Sequence, residues 1–210
     1  MKGGIPAGRF LLRFVLLFCF LQASWILCGD CYRVVFRAMA AIYLGRGDSR
    51  QELSIEPVKT ARGDTRVVIV NRSLMAADGS GPVRNLDFHS RSLVWSPACL
   101  LSALILASSV PWPRRIRALG LGLILQHGAI FLLLGFCVWL DSAALGLAHV
   151  PPHTERMLVA AKEVLLRNLP LSTPVLMWIF MLYDKNLFST YGLDRPMGGK
   201  PCQSKTMLRK

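Results

Sequence analysis

The chain is poor in acid and in charge altogether. Asp and Glu number 12 against 25 Lys and Arg, and charged residues are 18% of the 210 positions, below the roughly 25% of an ordinary soluble domain. Because 53% of the residues are hydrophobic and bunch into windows almost free of charge, a disordered chain is excluded and the spread-out core of a water-soluble fold does not fit. Motif chemistry is equally sparse. There is no Gly-rich phosphate loop, no His-Glu zinc pair and no serine-nucleophile elbow, and no tandem repeat runs at a solenoid period. The six Cys and four His lack metal-ligand spacing, so neither a metal nor another cofactor is expected. The net charge of +13 is in such a chain a signal of topology, not of nucleic-acid binding.

What is there is the pattern of an integral membrane protein, mainly α, with four transmembrane helices. The first is the apolar run 14–27, lengthened if Arg13 snorkels toward the headgroups. No clean A-x-A site follows it, and the lipobox-like Ile26-Leu27-Cys28 has Leu27 where a small residue belongs, so it reads as a retained anchor. The second span is 92–110, with Trp95 at one interface and Pro111-Trp112-Pro113 stopping it at the other. Residues 118–140 carry no charge and make the third. Pro170 and Pro174 open the fourth, which ends at Tyr183 unless 187–191 extends it past Asp184 and Lys185.

Positive charge near these spans orients them. The N-terminus (Lys2, Arg9, Arg13) and the short connection with Arg114, Arg115 and Arg117 hold bases without acids, and the tail after Tyr183 holds six bases against two acids. The intervening segments, 45–91 and 141–170, balance bases with acids and belong on the translocated side. This arrangement is satisfied by an even number of crossings with both termini in the cytoplasm. The organisation is then an anchor with a helical extension (1–44), a periplasmic β-rich loop (45–91), a three-helix membrane region (92–183) and a basic, disordered cytoplasmic tail (184–210).

Outside the membrane, residues 28–44 keep helical character, with Arg33 and Arg37 on one face. Leu53 and Ile55 alternate with polar residues, 66–70 is largely β-branched, and Leu86 and Phe88 alternate again, with Gly63-Asp64 and 78–81 as punctuation. These make a three-strand antiparallel meander. So small a sheet is marginal by itself and must pack on the 28–44 helix or on another protein. It is read either as a recognition surface or as a small cap. Thr154 is expected to cap an amphipathic helix over 154–168 that lies on the outer leaflet and turns into the fourth span at Pro170.

Gln126 and His127 are polar residues in the middle of the third span. They are either functional or a packing pair bonded to Ser102 or Gln22. Cys99, Ala103 and Ala107 form a small-residue stripe suited to close helix packing, as do Ala118 and Gly122. Cys28 and Cys31 make a C-x-x-C without the βαβ context of a thioredoxin-type site, and a Cys99–His127 nucleophile pair is set aside because the two lie at different depths.

One stretch carries a resemblance. Asn85-Leu86-Asp87-Phe88-His89, then Trp95-Ser96-Pro97-Ala98, the apolar run to Pro111, and Arg114-Arg115-Ile116-Arg117 before a long charge-free helix are similar to the exosortase H-associated membrane proteins of Gram-negative bacteria. The resemblance covers residues 50–140 and rests on architecture. It implies an accessory to a transpeptidase-like system that processes exported proteins with C-terminal sorting signals, with an exosortase as partner, and does not make this chain the enzyme. The expected function is a non-enzymatic accessory or scaffold in contact with lipid and another integral membrane protein. The alternative is a subunit of an intramembrane enzyme or transporter that uses Gln126 and His127.

Overall fold

The computed structural model describes residues 7–45, 50–60, 63–76, 81–147 and 150–183. The expected basic tail, Cys202, His149 and turn residues 78–80 lie outside the described residues. The first apolar run folds as two helices, α1 (Ala7–Ala23) and α2 (Trp25–Leu44), bent by 63° at Ser24. The Ser24 hydroxyl donates to the Leu21 carbonyl at 2.6 Å. Such back-bonding competes with the regular ladder and bends helices. Gly29, one turn into α2, lets the Trp25 indole lie along the helix, because a Cβ there would stand 2.9 Å from that ring.

The meander is present, as β1 (Gln51–Thr60), β2 (Gly63–Asn71) and β3 (Val83–Phe88) in antiparallel order β1-β2-β3. Its register pairs Leu53 with Ile69, Ile55 with Val67, and Val67 with Leu86, which gathers the apolar side chains on one face. Gly63 is required where β2 begins. A Cβ there would lie 2.7 Å from the backbone N and O of Phe88.

A single wide turn of π-helix, Arg91–Trp95, leads into α3 (Ser96–Ala107), followed by α4 (Trp112–Ala144) and α5 (Pro152–Tyr183). α1 and α3 run antiparallel, as do α4 and α5. Ser96 at the start of α3 reaches Gln22 at the end of α1 at 3.4 Å. Lys162 of α5 pairs with Asp141 near the end of α4 at 2.6 Å, whereas Met181 meets Gly122 near the beginning.

By length and apolarity α4 and residues His153–Met181 of α5 suffice to cross a membrane, and the bent α1–α2 pair makes a third span if counted as one. Four crossings do not follow from the helices alone. The apolar segment Arg91–Ala107 is shorter and rises roughly 26 Å at about 1.5 Å per residue, against about 30 Å of hydrocarbon. Helix geometry ends at Ala107, and Ser108 is already extended, with ψ 151°, so the expected span to residue 110 is cut short ahead of Pro111.

A second correction concerns α5. There is no separate surface helix over 154–168 turning at Pro170: one helix starts at Pro152 and runs through Pro170 and Pro174 to Tyr183. Interior proline is unfavourable by about 3 kcal/mol, but here packing holds the helix on both sides of it. Leu165, Leu166 and Leu169 pack on one apolar cluster, and Met177, Trp178 and Met181 belong to another. The Thr173 hydroxyl also donates to the Leu169 carbonyl at 2.6 Å, so its polar group is satisfied within the helix.

The larger cluster shows what the sheet packs on. Val67, Ile69, Leu86 and Phe88 of the sheet share one core with Phe36, Ala40 and Leu44 of α2 and with Ile130, Phe131, Leu134 and Cys137 of α4. The meander therefore has two supports, α2 and the second half of α4. Both ends of β2 are pinned as well. Asn71 donates to the Leu145 carbonyl at 3.0 Å, beside a Gln51 to Ser142 bond of 2.8 Å, and at the other end the Thr65 and Ser90 hydroxyls, 3.0 Å apart, both meet the Asp64 carboxylate.

Candidate functional site

The bend at Ser24 swings Tyr32 of α2 over the middle of α4, where its hydroxyl stands 2.9 Å from His127 Nε2. His127 Nδ1 lies 2.8 Å from the Leu123 carbonyl. A carbonyl only accepts, so Nδ1 carries the proton, Nε2 is the acceptor, and Tyr32 donates to it. Tyr32, not Ser102 or Gln22, is thus the partner of His127. Both ring nitrogens are engaged, which leaves none to activate Cys99. Tyr32 also sits in an aromatic cluster with Trp25 and Trp95, its ring centroid 5.0 Å from that of Trp95.

Gln126, one residue earlier, is fully buried, and neither amide atom has a hydrogen-bond partner among the described residues. Cys99, Ala103 and Ala107 are all buried in α3, the helix that packs against α1, α4 and α5. Cys28 and Cys31 are exposed free thiols on α2. Arg115 does more than carry charge: its Nε donates to the Val110 carbonyl at 2.6 Å and its guanidinium to the Leu106 carbonyl at 3.0 Å, closing the end of α3.

One concave feature is not assembled by sequence reasoning. A groove of about 920 Å³ opens between α2, the end of β1, the start of β2 and the corner joining β3 to α3. Arg33, Arg37, Lys59 and Arg91 line it with two acids, Asp30 and Asp64. Arg33 takes up both acids, reaching Asp64 at 3.1 Å and Asp30 one turn away, while its guanidinium lies 4.9 Å over the Trp25 ring. Arg37, Lys59 and Arg91 have no ion-pair partner among the described residues. Among the described residues the groove therefore carries a net positive charge.

Asp64 is the fixed point of this site. Burial by itself would raise its pKa, but its carboxylate accepts from the Ser90 N–H at 2.9 Å and the Ser90 hydroxyl at 2.8 Å, and from Thr65, and it faces Arg33. Together these hold it below the ordinary carboxylate value. Next to the groove, and sharing His89 and Arg91 with it, a second hollow of about 480 Å³ runs beside Phe18, Gln22 and Ser96 between α1 and α3. The one signal of this site in the sequence was the pair Arg33 and Arg37 on an otherwise apolar stretch. Lys59, Asp64 and Arg91 join it only through the sheet register and the π turn. No family model, curated protein or solved structure matches the chain.

Proposed function

We propose that the chain is a non-enzymatic accessory protein of a bacterial inner membrane, with four crossings, both termini in the cytoplasm, and an outer sheet that meets another membrane protein. The observation that carries this reading is the single core shared by the sheet, α2 and the outer half of α4. It holds the sheet in one orientation over the helices and leaves its other face open among the described residues. On that face stand Glu56, Arg66 and Asp87 in one cross-strand row and Ser54, Val68 and Asn85 in the next, a small mixed surface of the kind partners use. Two antiparallel pairs, α1 with α3 and α4 with α5, suit four crossings, and the short α3 fits a thinned bilayer. Exposed Leu132, Ile124 and Phe180 on α4 and α5 suit contact with lipid.

The resemblance of residues 50–140 to exosortase H-associated proteins directs the choice of partner to an exosortase, and the role to support of its processing of exported proteins. Copurification in mild detergent tests this. The tagged chain is expected to retain an exosortase from the same membrane, and a chain recovered alone from cells that contain one contradicts the assignment. A second reading, a subunit of an intramembrane enzyme or transporter, draws on the orphaned amide of Gln126, because an unsatisfied buried group is unfavourable and is kept where it has a use.

A further inference from the structure

We propose that the basic groove and the hollow beside it form a binding site for one anionic phospholipid, the phosphodiester headgroup lying among Arg37, Lys59 and Arg91 and an acyl chain in the hollow between α1 and α3. The two cavities have different linings and meet at shared residues. The groove supplies three cations without an ion-pair partner among the described residues, whereas the hollow is walled by Phe18, Gln22, Ser92 and Ser96 besides the shared His89 and Arg91. Although most of its residues are polar, the hollow exposes mainly their carbon surface beside the Phe18 ring, so a ligand that fits both cavities is anionic at one end and carries a chain at the other.

The surroundings supply the apolar phase. Beside this site the α1–α2 elbow presents Ile26 and Leu27, 85% and 87% exposed, and α1 presents Phe20, 71% exposed. Trp25, Tyr32 and Trp95 cluster at the same junction. Arg33 is held by Asp30 and Asp64, so it shapes the groove and shields the acids from the ligand, and the remaining cations face a phosphate unopposed. Cations near an anionic lipid surface each strengthen binding severalfold. A soluble phosphate would need only the groove; a lipid uses both cavities.

The site is independent of which protein the sheet meets, so its test needs the purified chain alone. The protein is reconstituted in phosphatidylcholine nanodiscs with increasing phosphatidylglycerol, and retained lipid is read by native mass spectrometry after detergent transfer. The wild type is expected to retain one phosphatidylglycerol. The triple variant Arg37→Gln, Lys59→Gln, Arg91→Gln is expected to lose that lipid by about tenfold or more, with an unchanged melting temperature. The bases at the opposite end, Arg114, Arg115 and Arg117, are the same in both proteins and cancel. Ser96→Leu, which narrows the hollow, should lower lipid retention and leave the groove's cations intact. Equal retention by wild type and triple variant overturns the site, and displacement of the lipid by soluble glycerol phosphate at equal concentration assigns it to a small anion instead. Should the triple variant fold poorly, each single glutamine variant must still show a partial loss, or the proposal falls.

Discussion

Tyr32 and His127 are 95 residues apart in sequence and joined by one hydrogen bond, and that bond fastens α2 to the middle of α4. His127 and Gln126 stand out in the sequence as polar groups in a charge-free run. Their surroundings do not, because Tyr32 arrives only through the bend at Ser24, and nothing in a residue string gives the angle of a bend. Tyr32→Phe keeps the ring and deletes the donor, so it should lower stability in detergent by about 1 kcal/mol; a loss much greater than this would mean that the hydroxyl serves more than His127. Gln126 makes the opposite case. With both amide atoms buried and without a partner among the described residues, Gln126→Leu removes a desolvation penalty and should raise the melting temperature, by an amount equivalent to about 1 kcal/mol or more. If stability rises while a cellular phenotype is lost, the intramembrane enzyme or transporter reading gains over the scaffold. A fall in stability would show that Gln126 has a partner after all.

At the level of elements, the strands were legible because period-two alternation survives in Leu53, Ile55, Leu86 and Phe88. The continuity of α5 was not. Prolines mark a break in local terms, and only the two apolar clusters on either side explain why the helix runs through them. The sheet's dependence on α4 was hidden for the same reason, since Ile130, Phe131 and Leu134 sit in a run whose residues all look fit for lipid. It follows that exchanging residues 50–82 for a flexible Gly/Ser linker should not spare the fold, because it uncovers Phe36, Phe131 and Leu134, for which the loss of one large core side chain already costs about 3–5 kcal/mol. Proteolysis in detergent should cut such a variant within α2, and a protease-resistant variant would contradict the shared core.

Asp64 gives the junction of sheet and α2 a pH signature. Its folded pKa is lower than its unfolded one, so its contribution is complete above the unfolded value of about 3.9 and is lost as pH falls through the lower folded value. Asp64→Asn should therefore reduce stability at pH 6 and flatten the acid side of the stability curve below about pH 4. A variant whose acid limb matches the wild type would show that another carboxylate governs it.

Over the whole molecule, the charge asymmetry that set the topology in the sequence also finds structural use, with Arg115 closing the end of α3 on the side assigned to the cytoplasm. Reporter fusions after Arg117 should be active only with a cytoplasmic reporter, and a periplasmic signal there would overturn the four-crossing arrangement. The basic groove was the feature least visible beforehand. It needs α2, two strands and the corner before α3 to be brought together, and its residues lie from Asp30 to Arg91 with no motif to link them.

The claim that the sheet's free face meets a membrane partner is tested most directly by site-specific photocrosslinking in living cells. A crosslinkable residue placed at Val68, half-buried on the outward face of β2, is compared with one at Leu132, 67% exposed on α4. The expected result is a discrete protein adduct at Val68, containing an exosortase, and none at Leu132. A protein adduct at Leu132 with none at Val68 would contradict the claim and move the interface from the sheet to the helices.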